Sequence, residues 1–199
     1  VVIGGAGRDV VLGILPIGSV IVLANELNIP FQLRKALDVT EHGQVKNIDL
    51  IAMMAHQNGV EHQKCFVQLG GVGLDAEVVK NVTQEMKNRW GPLSYVLGLM
   101  KSFRSWNKDF TIQLKDRSIK NVKSLLIGNG YFYGGAFKIF KRAKMNDGLV
   151  DMLVFHDLGF KTLIKFLLSG FKVDQKAIDY FQEEGFLLES QDSIPIELD

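Results

Sequence analysis

Leu125-Leu-Ile-Gly-Asn-Gly130, then Tyr131 to Phe140, then Lys141-Arg-Ala-Lys-Met-Asn-Asp-Gly-Leu-Val150 and on to Val154, is the stretch whose reading decides the fold. It begins as an apolar strand and breaks at Gly128 and Gly130. Beyond Gly134 and Gly135 it crosses a basic run of Lys138, Lys141, Arg142 and Lys144, then turns through Asn146-Asp147-Gly148 into another apolar strand. Asn, Asp and Gly tolerate positive φ, so this tripeptide between apolar runs predicts a tight turn. Four glycines between 128 and 135 let the backbone come close to a ligand or a second strand. On local chemistry the stretch is a glycine-rich hairpin in an antiparallel sheet.

The flanking sequence extends that sheet. Phe110 to Lys115 alternates with period two, Asp116-Arg117 turns it, and Ile119 to Ile127 pairs back. Leu149 to Phe155, Gly185 to Glu189 and Ile194 to Leu198 read as further strands, with a helix near Phe160 to Leu168. Upstream, Asn58-Gly59 predicts a hairpin turn between His56 and His62, with Lys64 to Leu69 returning. Neither histidine has a partner at ligand spacing, which marks both as surface residues. Gly70-Gly-Val-Gly73 precedes Asp75, an N-cap candidate for a helix over Ala76 to Asn88, and Leu93 to Phe103 forms another. Repeated hairpins of this kind predict an antiparallel sandwich with inserted helices.

The first residues read differently. Val1-Val-Ile3 is a strand that runs into Gly4-Gly5, where glycine leaves backbone N–H groups free to face an anion. Val10 to Leu15 reads as a second buried strand, ended by Pro16; Gly18-Ser19 opens a helix to about Leu27 with Ser19 as N-cap. Leu33 to Val39 is a short amphipathic helix and Val45 to Leu50 a strand that carries Asp49. The expected class is α+β: a short α/β nucleotide-binding domain over 1–43, passing near Gly43 into a larger antiparallel β-sandwich domain over 44–199.

Composition narrows the function classes. Hydrophobic residues make up 47% and charged ones 23%, ordinary values for a globular protein. With 23 basic and 22 acidic residues the net charge is +1, so no global field argues for nucleic acid. A single cysteine, Cys65, excludes an internal disulfide and fits a reducing, cytoplasmic setting. The longest apolar run, Val10 to Ala24, falls short of the roughly 20 residues of a spanning helix and contains Gly13, Pro16 and Gly18. Both ends look cut, which suggests a portion of a longer chain.

Six segments, in order, resemble one family. Leu12-Gly-Ile-Leu-Pro-Ile-Gly-Ser19, Ala24-Asn-Glu-Leu-Asn-Ile-Pro30, Asn47-Ile-Asp-Leu50, Gly71-Val-Gly-Leu-Asp-Ala76, Gly91-Pro-Leu-Ser-Tyr-Val96 and the Gly128 to Leu149 region resemble the bacterial diacylglycerol-kinase-type lipid kinases, most closely the YegS-like branch. The resemblance implies transfer of the ATP γ-phosphoryl group to a hydroxyl of diacylglycerol or a related lipid. ATP would meet Gly4, Gly5, Gly18 and Ser19. Mg²⁺ would be held by the Asp147 side chain and the main-chain carbonyls of Lys144 and Leu149, bracing the loop; on local sequence alone, Asp147 equally reads as a turn-shaping residue. Asp49 would stand in the acidic cluster near the metal-bound phosphates. The family's base lies in a late Asp-Gly-Glu motif, whose first residue is matched by Asp199, a proxy for that base.

The sequence also departs from the family. Where the family has a Gly-Gly-Asp-Gly-Thr loop and a following helix, this sequence runs Gly4-Gly-Ala-Gly-Arg-Asp9, so the loop and helix are either deleted or missing between Gly5 and Ala6, the second being the expectation; and a usual Asn-Asp pair is Ile21-Val22. The expected partners are ATP and a lipid substrate at a membrane surface, through a peripheral contact at the basic patch with Phe137 and Phe140 interleaved. A homodimer stays open and nucleic acid is not expected. Two rivals remain: a catalytically degenerate kinase fold that binds lipid or a partner, and an NAD kinase-like enzyme.

Overall fold

The computed structural model describes residues 11–18, 21–57, 59–74, 76–77, 106–133, 137–157, 162, 165–166, 169 and 177–199. Expectations at Gly4, Gly5, Ser19 and Asp75, most of the helices expected over 76–103 and 160–168, and the strand at 1–3 lie outside these residues. The chain forms two compact units. One gathers 1–69, 128–150 and Asp199; the other gathers 70–127 and 151–198.

In the first unit, α1 (Val22–Glu26) is little more than one turn. It ends for a clear reason: Asn28 takes φ +56, the Ile29 N–H reaches back to the Ala24 carbonyl at 2.8 Å, and Pro30 follows. Helix α2 (Leu33–His42) extends three residues past its expected end. The Asn58-Gly59 prediction holds: β1 (Ile51–Gln57) pairs antiparallel with β2 (Val60–Phe66), Gln57 facing Val60, and Gly59 sits at φ +78.

The second unit carries the larger sheets. Strands β3 (Leu69–Gly73), β6 (Ser124–Gly128), β9 (Val150–Phe155), β10 (Ile178–Glu183) and β12 (Ile196–Leu198) form one sheet in the order β10-β9-β6-β3-β12. Strands β4 (Phe110–Gln113), β5 (Ser118–Val122) and β11 (Leu187–Glu189) form another, in the order β11-β4-β5. The pairs β12–β3, β11–β4 and β4–β5 are antiparallel. Every residue of β6 and β9 is buried, as interior strands with near-continuous apolar sequence should be. Asp151 is fully buried inside β9, and its carboxylate accepts hydrogen bonds from the Tyr180 hydroxyl and the Gln182 amide on β10. Phe155 meets Phe166 edge to face, ring centroids 5.7 Å apart.

Four sequence expectations need correction. Of the strand expected over Val10 to Leu15, residues 11–15 form no strand, and Val11 and Leu12 are 71% and 54% exposed. An apolar run becomes a strand only where a neighbour completes its ladder, and no described residue pairs with this one. The helix expected from Gly18 starts at Val22, with Ile21 at the N-cap position and no side-chain cap. The strand expected over 45–50 starts at Ile51, leaving Asp49 in irregular backbone. The single strand over 119–127 is two, broken at Lys123, so that β5 joins the smaller sheet and β6 the larger. Strand β10 was not foreseen; its burial does not alternate, so it carries no period-two signal.

Candidate functional site

The site is built around the turn at 145–149, in the first unit. Gly148 takes φ +71, which an L-residue adopts only with strain. The Asp147 carboxylate accepts the Leu149 N–H at 3.1 Å, bracing its own turn. Asp49 approaches from the other side. Its N–H donates to the Met145 carbonyl at 2.6 Å, and its carboxylate accepts the Gly148 N–H at 2.7 Å. Two acidic residues singled out separately in the sequence are therefore brought to one turn.

Asn129, the middle residue of Gly-Asn-Gly, holds this arrangement in place. It is fully buried, and its side-chain amide donates to the Asp49 carbonyl at 2.9 Å and the Val67 carbonyl at 2.8 Å. Its backbone N–H donates to the Gln68 carbonyl at 2.9 Å. One side chain thus ties the glycine stretch, the segment that carries Asp49 and the end of β2 together.

The glycines on either side have steric roles. A Cβ at Gly128 would stand 2.4 Å from the Phe140 ring, and one at Gly130 would stand 2.6 Å from the Glu26 carboxyl carbon. Phe140 is fully buried, which corrects its expected place in an exposed aromatic and basic surface. Glu26, which lies in the Ala24 to Pro30 segment but was given no role, accepts hydrogen bonds from the Gln68 side-chain amide and the Phe132 N–H, both at 3.2 Å. After Phe132 the chain makes a short hairpin of β7 (Phe132–Tyr133) and β8 (Phe137–Lys138).

The Asp199 side chain is engaged by backbone. Its carboxylate accepts three backbone N–H groups, from Val67 at 3.1 Å, Gln68 at 3.0 Å and Leu69 at 3.3 Å. Its own N–H donates to the Leu69 carbonyl at 3.2 Å. Asp199 is a positioning residue for the bend between β2 and β3. Gly18 lies in an exposed bend, and no described residue brings it to the 145–149 turn through a hydrogen bond.

The donors at the turn suit a hard cation. Asp147 is exposed and offers carboxylate oxygen, while Lys144 and Leu149 lie outside strand ladders. Among the described residues no cluster of three or more His, Cys, Asp or Glu side chains forms. A metal here would draw on few side chains, with backbone carbonyls and water completing its shell, a set that fits Mg²⁺ better than a transition metal. No described helix is long and apolar enough to cross a membrane.

Residues 70–199 match the family profile described as "YegS C-terminal NAD kinase beta sandwich-like domain". The chain is 25% identical over 194 residues to a "Probable lipid kinase YegS-like" of Chromohalobacter salexigens, covering 94% of this chain and 60% of that relative. It is 28% identical over 172 residues to a "Probable lipid kinase YegS" of Escherichia coli O1:K1, covering 85% and 54%. The chain therefore spans little more than half the length of these curated relatives. A solved structure described as a diacylglycerol kinase from Bacillus anthracis superposes with a TM-score of 0.62 at 15% identity, over 91% of this chain and 56% of that one. That likeness speaks for the fold alone.

Proposed function

Since the chain belongs to the YegS C-terminal β-sandwich family, among relatives named as lipid kinases, we propose that it is part of an ATP-dependent lipid kinase. The reaction is transfer of the γ-phosphoryl group of ATP to a hydroxyl of diacylglycerol or a related lipid, in the cytoplasm at a membrane surface. The observation that carries this reading is the meeting of Asp49 and Asp147 on one glycine-bearing turn. Phosphoryl transfer depends on positioning and charge neutralisation more than on covalent chemistry from the protein, so a rigid acidic turn is a fitting part.

Asp147, with the carbonyls of Lys144 and Leu149, would hold Mg²⁺, which supplies positive charge beside a polyanionic substrate. Asp49 keeps the turn in shape through the Gly148 N–H, and Asn129 fixes Asp49 through its carbonyl. Asp199 orients the backbone of 67–69. Gly4, Gly5, Gly18 and Ser19 stay assigned to the nucleotide within an α/β domain over 1–43, ahead of the sandwich domain over 44–199. The catalytic base is assigned to none of the described residues.

A degenerate kinase fold is the second reading. Ile21 and Val22 favour it, because neither side chain can hydrogen-bond a nucleotide or hold metal-bound water. Labelled ATP offered with mixed diacylglycerol micelles, with NAD as a competing acceptor, separates the readings. The lipid kinase predicts Mg²⁺-dependent label in lipid and none in NADP. Label in NADP points to the NAD kinase-like rival, and no consumption of nucleotide with any lipid to the degenerate fold.

A further inference from the structure

We propose that Glu26, Gln68 and Asn129, all in the first unit, form a binding site for one monovalent cation, Na⁺ or K⁺. The three residues are already linked. The Asn129 N–H donates to the Gln68 carbonyl at 2.9 Å, and the Gln68 side-chain amide donates to the Glu26 carboxylate at 3.2 Å. Gly130, next to Asn129 in sequence, lies against the same carboxylate: a Cβ there would stand 2.7 Å from Glu26 Oε2.

Two oxygens in this cluster lack a donor. Gln68 is 1% exposed and Asn129 0%, and neither Gln68 Oε1 nor Asn129 Oδ1 has a hydrogen-bond partner among the described residues. Turning the amides over does not help. Asn129 Nδ2 donates to the carbonyls of Asp49 and Val67, so reversal would set its oxygen against two others. Reversal of Gln68 would set its oxygen against the Glu26 carboxylate. An unsatisfied buried acceptor is costly, so a positively polarised partner belongs at these two oxygens.

Charge decides between a water and an ion. Among the described residues Glu26 accepts only neutral donors, the Gln68 amide and the Phe132 N–H, and no Lys, Arg or His pairs with it. A water donating to the amide oxygens would leave this half-buried carboxylate without a counter-ion. A cation serves all three groups. Its class follows from the donors: oxygen alone, with no sulfur or imidazole, suits a hard ion. One carboxylate and two neutral oxygens offer little charge, and the amide oxygens are sealed from solvent, whereas Mg²⁺ keeps several waters. A monovalent ion fits that set. Bound there, it ties α1 to the Gly-Asn-Gly stretch and, through Asn129, to the segment that carries Asp49. It is separate from the cation assigned to Asp147 and does not depend on phosphoryl transfer.

The test is thermal melting of the whole chain in KCl, NaCl or choline chloride at matched ionic strength, without Mg²⁺. KCl or NaCl should raise the melting temperature above that in choline chloride. Beyond the Kd, each tenfold increase in the ion should raise the folding constant about tenfold. Thallium NMR, with Tl⁺ standing in for K⁺, reads binding directly as a shifted resonance that KCl or NaCl displaces. E26Q keeps the side-chain shape, removes the charge and should weaken alkali binding by about tenfold or more. D147A should keep the alkali response and lose the Mg²⁺ response, so the two cation assignments fail separately. Equal stabilisation by choline chloride overturns the proposal and leaves a buried water as the partner of the two oxygens. A folded E26Q chain that responds to KCl and NaCl as the native chain does overturns it too, as does loss of the alkali response in D147A. The salt comparison and the thallium measurement need only the native chain, and absence of a displaceable thallium signal there overturns it whether or not E26Q folds.

Discussion

The Asp49 carboxylate accepts the Gly148 N–H at 2.7 Å across a sequence separation of 99 residues. The contact is made to the backbone of Gly148, so it constrains the turn's shape through the main chain. It also leaves the Asp147 side chain at the exposed apex, where a cation can reach it. For Asp147→Ala, the rise in melting temperature on adding Mg²⁺ should disappear, with the metal-free melting temperature nearly unchanged. An Asp147→Ala chain that Mg²⁺ stabilises as well as the native chain would refute the metal assignment.

Substitution at Asn129 should be far more disruptive. Asn129→Ala removes the donor to two carbonyls, Asp49 and Val67, in a fully buried setting. Leaving one buried and one half-buried acceptor unpaired costs on the order of 2–4 kcal/mol. Asn129→Asp should be worse still, since it places carboxylate oxygen against carbonyl oxygen. Urea unfolding measures both, and a loss under about 0.5 kcal/mol for Asn129→Ala would contradict the bracing role.

Local turn chemistry was legible in the sequence; contacts between distant segments were not. Asn146-Asp147-Gly148 and Asn58-Gly59 were legible as turns because their chemistry is local: glycine at positive φ is needed at 148 and 59. The pairing of Asp49 with Gly148 was not legible, since no period or spacing encodes a contact between segments so far apart. Residues 11–15, expected as part of a strand, were misread for a related reason. Their apolar composition suits a buried strand, but burial depends on a neighbour that composition cannot supply. The resemblance placed both aspartates at phosphate or metal; it included Glu26 in the Ala24 to Pro30 segment without a role, and its partners are a backbone N–H and a side-chain amide.

Gly128 tests the close approach directly. An added Cβ would stand 2.4 Å from Cδ2 and 2.5 Å from Cε2 of Phe140, a fully buried ring with no room to retreat. Gly128→Ala should destabilise by about 1–3 kcal/mol through overpacking. Phe140→Leu should recover part of that loss in the double variant, although alone it is destabilising. Strict additivity of the two changes would show that they do not touch.

Tyr180→Phe probes the larger sheet. Asp151 is fully buried in β9, and the Tyr180 hydroxyl donates to its carboxylate from β10. Deleting the hydroxyl removes a hydrogen bond to a buried acidic group while keeping the ring, so the loss should be about 1.5–3 kcal/mol. The Gln182 amide, at 3.5 Å, is too distant to replace it fully. The double change Tyr180→Phe with Asp151→Asn should cost less than the sum of the single changes, because the neutral amide demands less of its surroundings than an ionised carboxylate. Denaturant unfolding of the four chains gives this coupling. Both Mg²⁺-dependent stabilisation and phosphoryl transfer should survive in Tyr180→Phe below its melting temperature. Loss of the Mg²⁺ response in the folded variant would tie the β9–β10 pair to cation binding at the turn.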